Sequence, residues 1–119
     1  MSNIYVLGAG MVGSAMAIDL AKKHHVIISD ISSEVLSRVV EKEPSLKSEI
    51  LDVTDTKDLA SKIKDADLVL SAVPGFLGFE TLKKIILQGK NTVDISFFPE
   101  NALELNQLAL ENNITAIVD

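Results

Sequence analysis

Ile4-Tyr5-Val6-Leu7-Gly8-Ala9-Gly10-Met11-Val12-Gly13 decides the fold, because it joins a short apolar run to a helical run through three glycines spaced G-x-G-x-x-G. In such a turn Gly8 brings the chain sharply out of the strand, Gly10 lets backbone approach a pyrophosphate, and Gly13 lets the next helix lie close on the sheet. A helix starting at Met11 points its free N–H groups and the positive end of its dipole at that phosphate. The spacing alone is weak evidence, since the same glycines can serve close packing. Its setting strengthens it: a strand precedes, a helix follows, and Asp30 closes the next strand 17 residues after Gly13. The stretch reads as a dinucleotide-binding turn with Gly8, Gly10, Met11, Val12 and Gly13 as its contacts.

Outward from the turn, apolar spacing predicts a first helix over Met11–Lys23, with Val12, Ala15, Met16 and Leu20 along one stripe and Asp19 and Lys23 as an outer i,i+4 pair. Val26–Asp30 is a continuous apolar run, the mark of a strand buried on both faces in a parallel sheet. Ser32 or Ser33 caps a helix carrying Val35, Leu36, Val39 and Val40, which Pro44 ends. Lys47–Leu51 is the weakest strand. Asp55 or a neighbour caps a short helix with Leu59, Ala60 and Ile63 inward, and Asp67–Ser71 is the fourth strand. A fourth helix, running through Leu82, Ile85 and Ile86, stops at Gly89. Thr92–Ile95 follows, then a helix opening near Pro99-Glu100 with Leu105, Leu108 and Ala109, then a strand over Ile114–Val118. Strands alternating with helices through short turns predict an α/β, Rossmann-type, doubly wound parallel six-stranded sheet in the order 3-2-1-4-5-6, with helices on both faces.

The chain of 119 residues is one domain by size, without room for a second lobe. A formal charge of −6 argues against a nucleic-acid partner, which needs clustered cations. It does not argue against a dinucleotide, whose phosphates backbone N–H groups can hold. No apolar run approaches the roughly 20 residues of a membrane span, no export signal is visible, and cysteine is absent, so a cytoplasmic setting is expected.

In an open α/β sheet the ligand lies beyond the carboxyl ends of the strands. That rule places His24 and His25, the only histidines, at the wrong edge for chemistry, in a solvated turn. Asp30 ends the second strand, where a carboxylate accepts hydrogen bonds from a ribose 2′-OH and repels a 2′-phosphate. No Arg or Lys occurs between Ser29 and Val35, so NAD is favoured over NADP. Beside Asp30, Ile31 joins the cofactor contacts. Asp52 reaches the adenine amine or serves as a local turn residue, and Val53 packs on the ring. Ala72, Val73 and Pro74 offer small, rigid backbone near the pyrophosphate and the nicotinamide ribose. Asp94 and Ser96 end the fifth strand on the nicotinamide side, Ser96 as a cofactor contact and Asp94 as a structural or catalytic group. No metal ligands and no catalytic residues are assigned. The phenylalanines Phe76, Phe79, Phe97 and Phe98, all just past strand ends, pack in the core or face a partner lobe.

With these motifs in place, the chain resembles the N-terminal cofactor domain of the saccharopine dehydrogenase family, most closely its lysine 6-dehydrogenase type. The residues that carry the likeness are Val6–Gly13, Leu51-Asp52-Val53-Thr54-Asp55, Ala72–Phe79 and Val93-Asp94-Ile95-Ser96-Phe97-Phe98-Pro99-Glu100-Asn101. The resemblance implies an oxidoreductase that passes hydride from a CH–NH or CH–NH2 group of an amino acid to a nicotinamide cofactor. Family members continue into a substrate-binding and dimerising domain, whereas this chain stops at Asp119. The implied reading is an excised cofactor domain, inactive alone, that meets its small amino-acid substrate and forms any homodimer through the absent domain. The regulatory NAD-sensing modules of potassium channels and transporters are similar in Gly8–Gly13, Asp30, Asp52–Asp55 and Ala66-Asp67. They are the alternative, and they do not resemble the stretch from Gly75 to Asn101.

Overall fold

The structure is a computed structural model that describes residues 2–96, 100 and 102–118. Along Asn3–Leu7 (β1) the side chains alternate between two cores: Ile4 and Val6 enter one, Tyr5 and Leu7 the other. A strand apolar on both sides must be covered on both. One cover is made by Met11–Leu20 (α1) and Ser33–Lys42 (α2), which bring Ala17, Leu36 and Val39 onto Ile4, Val6, Val26 and Ile28. The other is made by Thr56–Ile63 (α3) and Gly75–Leu87 (α4), whose Leu59, Ile63 and Ile85 meet Tyr5, Leu7 and Val69. Asn106–Glu111 (α5) lies beside α4 and, with a 3-10 turn at Ala102–Leu105, closes a smaller cluster around Leu82, Ile86 and Leu105.

The remaining strands are His25–Asp30 (β2), Lys47–Ile50 (β3), Leu68–Ser71 (β4), Thr92–Asp94 (β5) and Ala116–Val118 (β6). All pairs are parallel, in the order β3-β2-β1-β4-β5-β6. The chain therefore winds one way from β1 to β3 and the other way from β4 to β6. The direction reverses between β1 and β4, the switch point at which open α/β sheets form their ligand crevice beyond the carboxyl ends.

The local signals for caps hold. Ser32 Oγ accepts from Val35 N at 3.3 Å at the head of α2, and Asp55 Oδ1 accepts from Asp58 N at 3.0 Å at the head of α3. Gly89 takes φ +70° just past α4, a conformation that favours glycine. Other expectations need correction. The first helix ends at Leu20, not Lys23, so Asp19 pairs with Lys22 at i,i+3, at 3.5 Å in full solvent. Its buried residues are Gly13 and Ala17, with Met16 and Leu20 partly covered, while Val12 and Ala15 face out. The segment MVGSAMAIDL is apolar almost all round, so periodicity could not choose a face, and close approach to the sheet selected the smallest residues. The fourth helix starts at Gly75, ahead of the two phenylalanines, because Pro74 presets its entry and Gly78 is buried against the body. Phe97, Phe98 and Pro99, and with them the expected opening of the fifth helix, lie outside the described residues.

Candidate functional site

Above the β1–β4 crevice, the turn after β1 is held by sterics. A Cβ on Gly8, which has φ +100°, would lie 2.5 Å from the Ala72 carbonyl oxygen, and a Cβ on Gly13 would run into the Gly8 carbonyl oxygen. Both positions therefore exclude a side chain, and α1 seats directly on the end of β1. Among the described residues, nothing lies within 4 Å of where a Gly10 Cβ would be, so the turn is open at that point alone among its glycines. Whereas α2 and α3 have side-chain caps, α1 has none, and its first turn carries no acidic residue. Its leading N–H groups stand free of a competing cap, which is the arrangement an incoming phosphate uses.

Asp30 comes to the same place from β2. Its Oδ2 accepts from Ala9 N at 2.9 Å and its Oδ1 accepts from Ser32 N at 2.9 Å, so the half-exposed carboxylate bridges the glycine turn and the head of α2. A carboxylate offers about four acceptor positions, which leaves room for ribose hydroxyls. Around this rim stand apolar side chains that nothing covers: Met11 is 90% exposed, Phe76 82%, Ile31 68% and Val12 58%. They form the kind of surface that flat aromatic rings bury.

The other expected contacts divide. Ala72 and Val73 follow β4 directly against Gly8, Ala72 N donating to Leu7 O at 2.8 Å, while Pro74 opens α4. Val53 is buried in the core under α3 and α4, so its side chain is not available to an adenine ring. Asp52 is exposed, but its Oδ1 accepts from Thr54 N at 2.9 Å and Thr54 Oγ1 at 2.6 Å, the turn role of its two expected roles. Those two donors, helped by Lys84, hold its carboxyl below the usual range. Lys84 itself went unnoticed in the sequence. Its Nζ donates to the carbonyls of Val53 and Thr54 at 3.1 and 3.3 Å, tying α4 to the loop after β3.

At the end of β5, Asp94 is completely buried. Its Oδ1 accepts from Ser96 N at 2.7 Å, and the Ser96 hydroxyl donates to the Ser71 carbonyl at 3.4 Å, so Asp94 fixes Ser96 against β4. Burial raises the Asp94 carboxyl above its usual range against the pull of the Ser96 hydrogen bonds. Among the described residues, Asp94 Oδ2 and the hydroxyls of Ser71 and Thr92 are buried without a hydrogen-bond partner.

The opposite edge holds different chemistry. His24 Nδ1 accepts from Ser2 N at 3.1 Å, and His25 opens β2. Both line a cleft of about 830 Å³ at the amino ends of the strands. There Tyr5 Oη donates to Glu49 Oε1 at 2.6 Å, and burial beside that carboxylate pushes the phenol far above its ordinary range, making it a fixed neutral donor. This cleft is a full strand length from the glycine turn. Among the described residues, no group of three or more His, Asp or Glu side chains is placed to hold a metal ion, and no helix is long and apolar enough to cross a membrane.

A parallel sheet of this order, with an open Gly10 and an acidic end to β2, is a dinucleotide-binding arrangement, and the comparisons agree. The family description "Saccharopine dehydrogenase NADP binding domain" matches residues 4–117. The chain belongs to that family. It is similar to the apo saccharopine dehydrogenase (L-Glu forming) of Saccharomyces cerevisiae, with 26% identity and a TM-score of 0.84 over 99% of this chain and 27% of the yeast chain. The scyllo-inositol dehydrogenase of Lactobacillus casei, solved with NAD(H) and scyllo-inositol, superposes with a TM-score of 0.79 at 17% identity, over 99% of this chain and 36% of its own. The biliverdin reductase of Synechocystis, solved with biliverdin and NADP+, reaches a TM-score of 0.75 at 17% identity, covering 99% and 37%. The last two show the fold alone. No curated protein sequence matches the chain. The chain spans about a quarter of the yeast enzyme's length. As a member of the family it is a dinucleotide-binding domain of oxidoreductase type.

Proposed function

We propose that this domain binds NAD in preference to NADP and serves an oxidoreductase acting on a CH–NH or CH–NH2 group of an amino acid. The observation that carries the cofactor choice is Asp30. Its carboxylate sits at the end of β2 beside the glycine turn, and no Lys or Arg between Ser29 and Val35 offsets its charge. A 2′-phosphate brought there meets a like charge, whereas a ribose diol meets an acceptor. The family description names NADP, and the reading in favour of NAD rests on Asp30 and its neighbours in this chain alone.

The residues fit the cofactor in a consistent order. Gly10 leaves open the space a pyrophosphate needs, the uncapped N–H groups of α1 face it, Asp30 accepts from the adenosine ribose, and Ile31 and Met11 cover apolar surface. Ala72, Val73 and Pro74 close the crevice wall, and Ser96, set by Asp94, marks the nicotinamide side. When bound, the nicotinamide ring supplies the site for hydride transfer. Orientation of the amino-acid substrate and removal of its proton belong to a second domain, so the isolated chain is expected to bind cofactor without turnover. Titration calorimetry with NAD and NADP tests the reading. Tighter binding of NADP ends the NAD assignment, and no binding of either ends the dinucleotide assignment.

A further inference from the structure

We propose that Asp30 is a positioning residue for the pyrophosphate as well as a ribose acceptor. Its carboxylate holds the glycine turn in binding shape before any ligand arrives. This rests on the dinucleotide reading of the turn and adds to it.

Ala9 is the residue between Gly8 and Gly10, and it is buried. Its N–H donates to Asp30 Oδ2, while the neighbouring Gly8 N–H donates to Ser29 O, both at 2.9 Å. Two consecutive peptide groups of the turn are thus pinned to two consecutive residues of β2. Ser29 is itself fixed, its hydroxyl donating to Val6 O at 2.9 Å. On its other oxygen Asp30 accepts from Ser32 N, so the strut also reaches the cap of α2. The bond fixes the plane of the Gly8–Ala9 peptide, and with Ala9 itself buried it narrows the φ and ψ through which the Gly10 and Met11 N–H groups are aimed. The Gly10–Met11 peptide is held from the protein side by the first helical bond, Gly10 O accepting from Ser14 N at 2.9 Å. On the ligand side α1 has no side-chain cap and, among the described residues, nothing lies within 4 Å of where a Gly10 Cβ would be.

Both carboxylate oxygens are needed as acceptors. An asparagine offers one oxygen and one NH2, so one of the two backbone donors would face another donor and go unsatisfied. One side chain thus does two jobs, and a change at position 30 that admits a 2′-phosphate also loosens the pyrophosphate turn.

The test compares the wild-type protein with Asp30→Asn, using ADP and 2′,3′-dideoxy-ADP as ligands, together with backbone amide exchange of the ligand-free protein. The dideoxy ligand has no ribose hydroxyls for a carboxylate to hold. In the variant it is expected to bind about tenfold more weakly, the low end of what losing a charge-assisted hydrogen bond brings. In Asp30→Ala, which removes both acceptor oxygens, the Ala9 amide is expected to exchange about tenfold faster, while Val6 and Ile28 keep their rates. If dideoxy-ADP binds both proteins equally and only ADP weakens, Asp30 is a ribose acceptor alone and the proposal is overturned. Unchanged Ala9 exchange overturns it as well. If wild type binds neither ligand, the dinucleotide reading fails, and Ala9 exchange still decides whether the strut exists. Loss of protection at Val6 and Ile28 would mean that the variant is unfolded. Asp30→Glu, which displaces both acceptor oxygens by one methylene, then takes its place with the same readouts deciding.

Discussion

Asp30 and Asp94 end strands on either side of the β1–β4 crevice, and they show how differently one side chain behaves at two strand ends. Asp30 is half-exposed, and each of its oxygens meets a backbone N–H from a different segment. Asp94 is fully buried, with one oxygen bonded to Ser96 N and the other without a partner among the described residues. The first arrangement sustains a charge that a ligand can use. The second favours a held proton, as the raised pKa of Asp94 reflects. The half of the sheet from β1 to β2 thus keeps a carboxylate at its surface, and the half from β4 to β5 buries one to keep its loop in place.

The largest effects should come from the glycines that define the first half. Gly13→Val places a side chain against the Gly8 carbonyl, and urea denaturation should show a loss of about 3 kcal/mol or more. Gly10→Ala meets nothing within 4 Å, so stability should stay within about 0.5 kcal/mol of wild type. NAD affinity should nevertheless fall by about tenfold or more, about 1.4 kcal/mol, since the methyl group would occupy the approach of the pyrophosphate. If both variants lose stability equally, the turn is packed throughout and the open Gly10 has no meaning for binding.

The second half is tested by Asp94→Asn, which keeps an acceptor for Ser96 N and removes the titration. A carboxyl whose pKa is raised on folding binds its proton more tightly in the native state. Its favourable contribution is therefore complete below the unfolded value of 3.8 and is lost as pH rises through the higher folded value. Wild type and Asp94→Asn should be close in stability at pH 3, and the variant should be ahead by about 1 kcal/mol at pH 7, in the range of a buried unsatisfied group. Equal stability at both pH values would show that Asp94 carries no penalty and that the contrast with Asp30 is one of exposure alone.

Asp52 should give the smallest effect. Its carboxylate is engaged by Thr54, so Asp52→Ala should change NAD affinity by less than about threefold, well under the tenfold of one kept interaction. Its lowered pKa works in the opposite sense to that of Asp94: the contribution is present above 3.8 and is lost as pH falls through the lower folded value. A tenfold loss of NAD affinity in this variant would move Asp52 from the turn to the adenine.

Much of this could be read in the chain. The strands announced themselves by apolar runs, the caps at Ser32 and Asp55 by residue type, and the tight turn after β1 by its glycine spacing. What escaped was of two kinds. Where a segment was apolar all round, as in α1, or mixed glycine with phenylalanine, as at the start of α4, local pattern had no contrast to offer. Where a polar side chain had a choice of partners, the choice lay elsewhere in the chain. Asp52 turned to Thr54, Val53 went into the core, and Lys84 reached two carbonyls about 30 residues away in sequence.

By itself the sequence determined the alternation of strands and helices, the parallel sheet and the position of the glycine turn, because these follow from short-range periodicity and from residues whose chemistry acts on near neighbours. Only the tertiary structure decided which oxygen faces which N–H. The Ala72 carbonyl closes over Gly8, Asp30 clasps Ala9, and Asp94 lies beside Ser71 because strands distant in sequence come into register, and that register is set by two cores packing at once on opposite faces of one sheet.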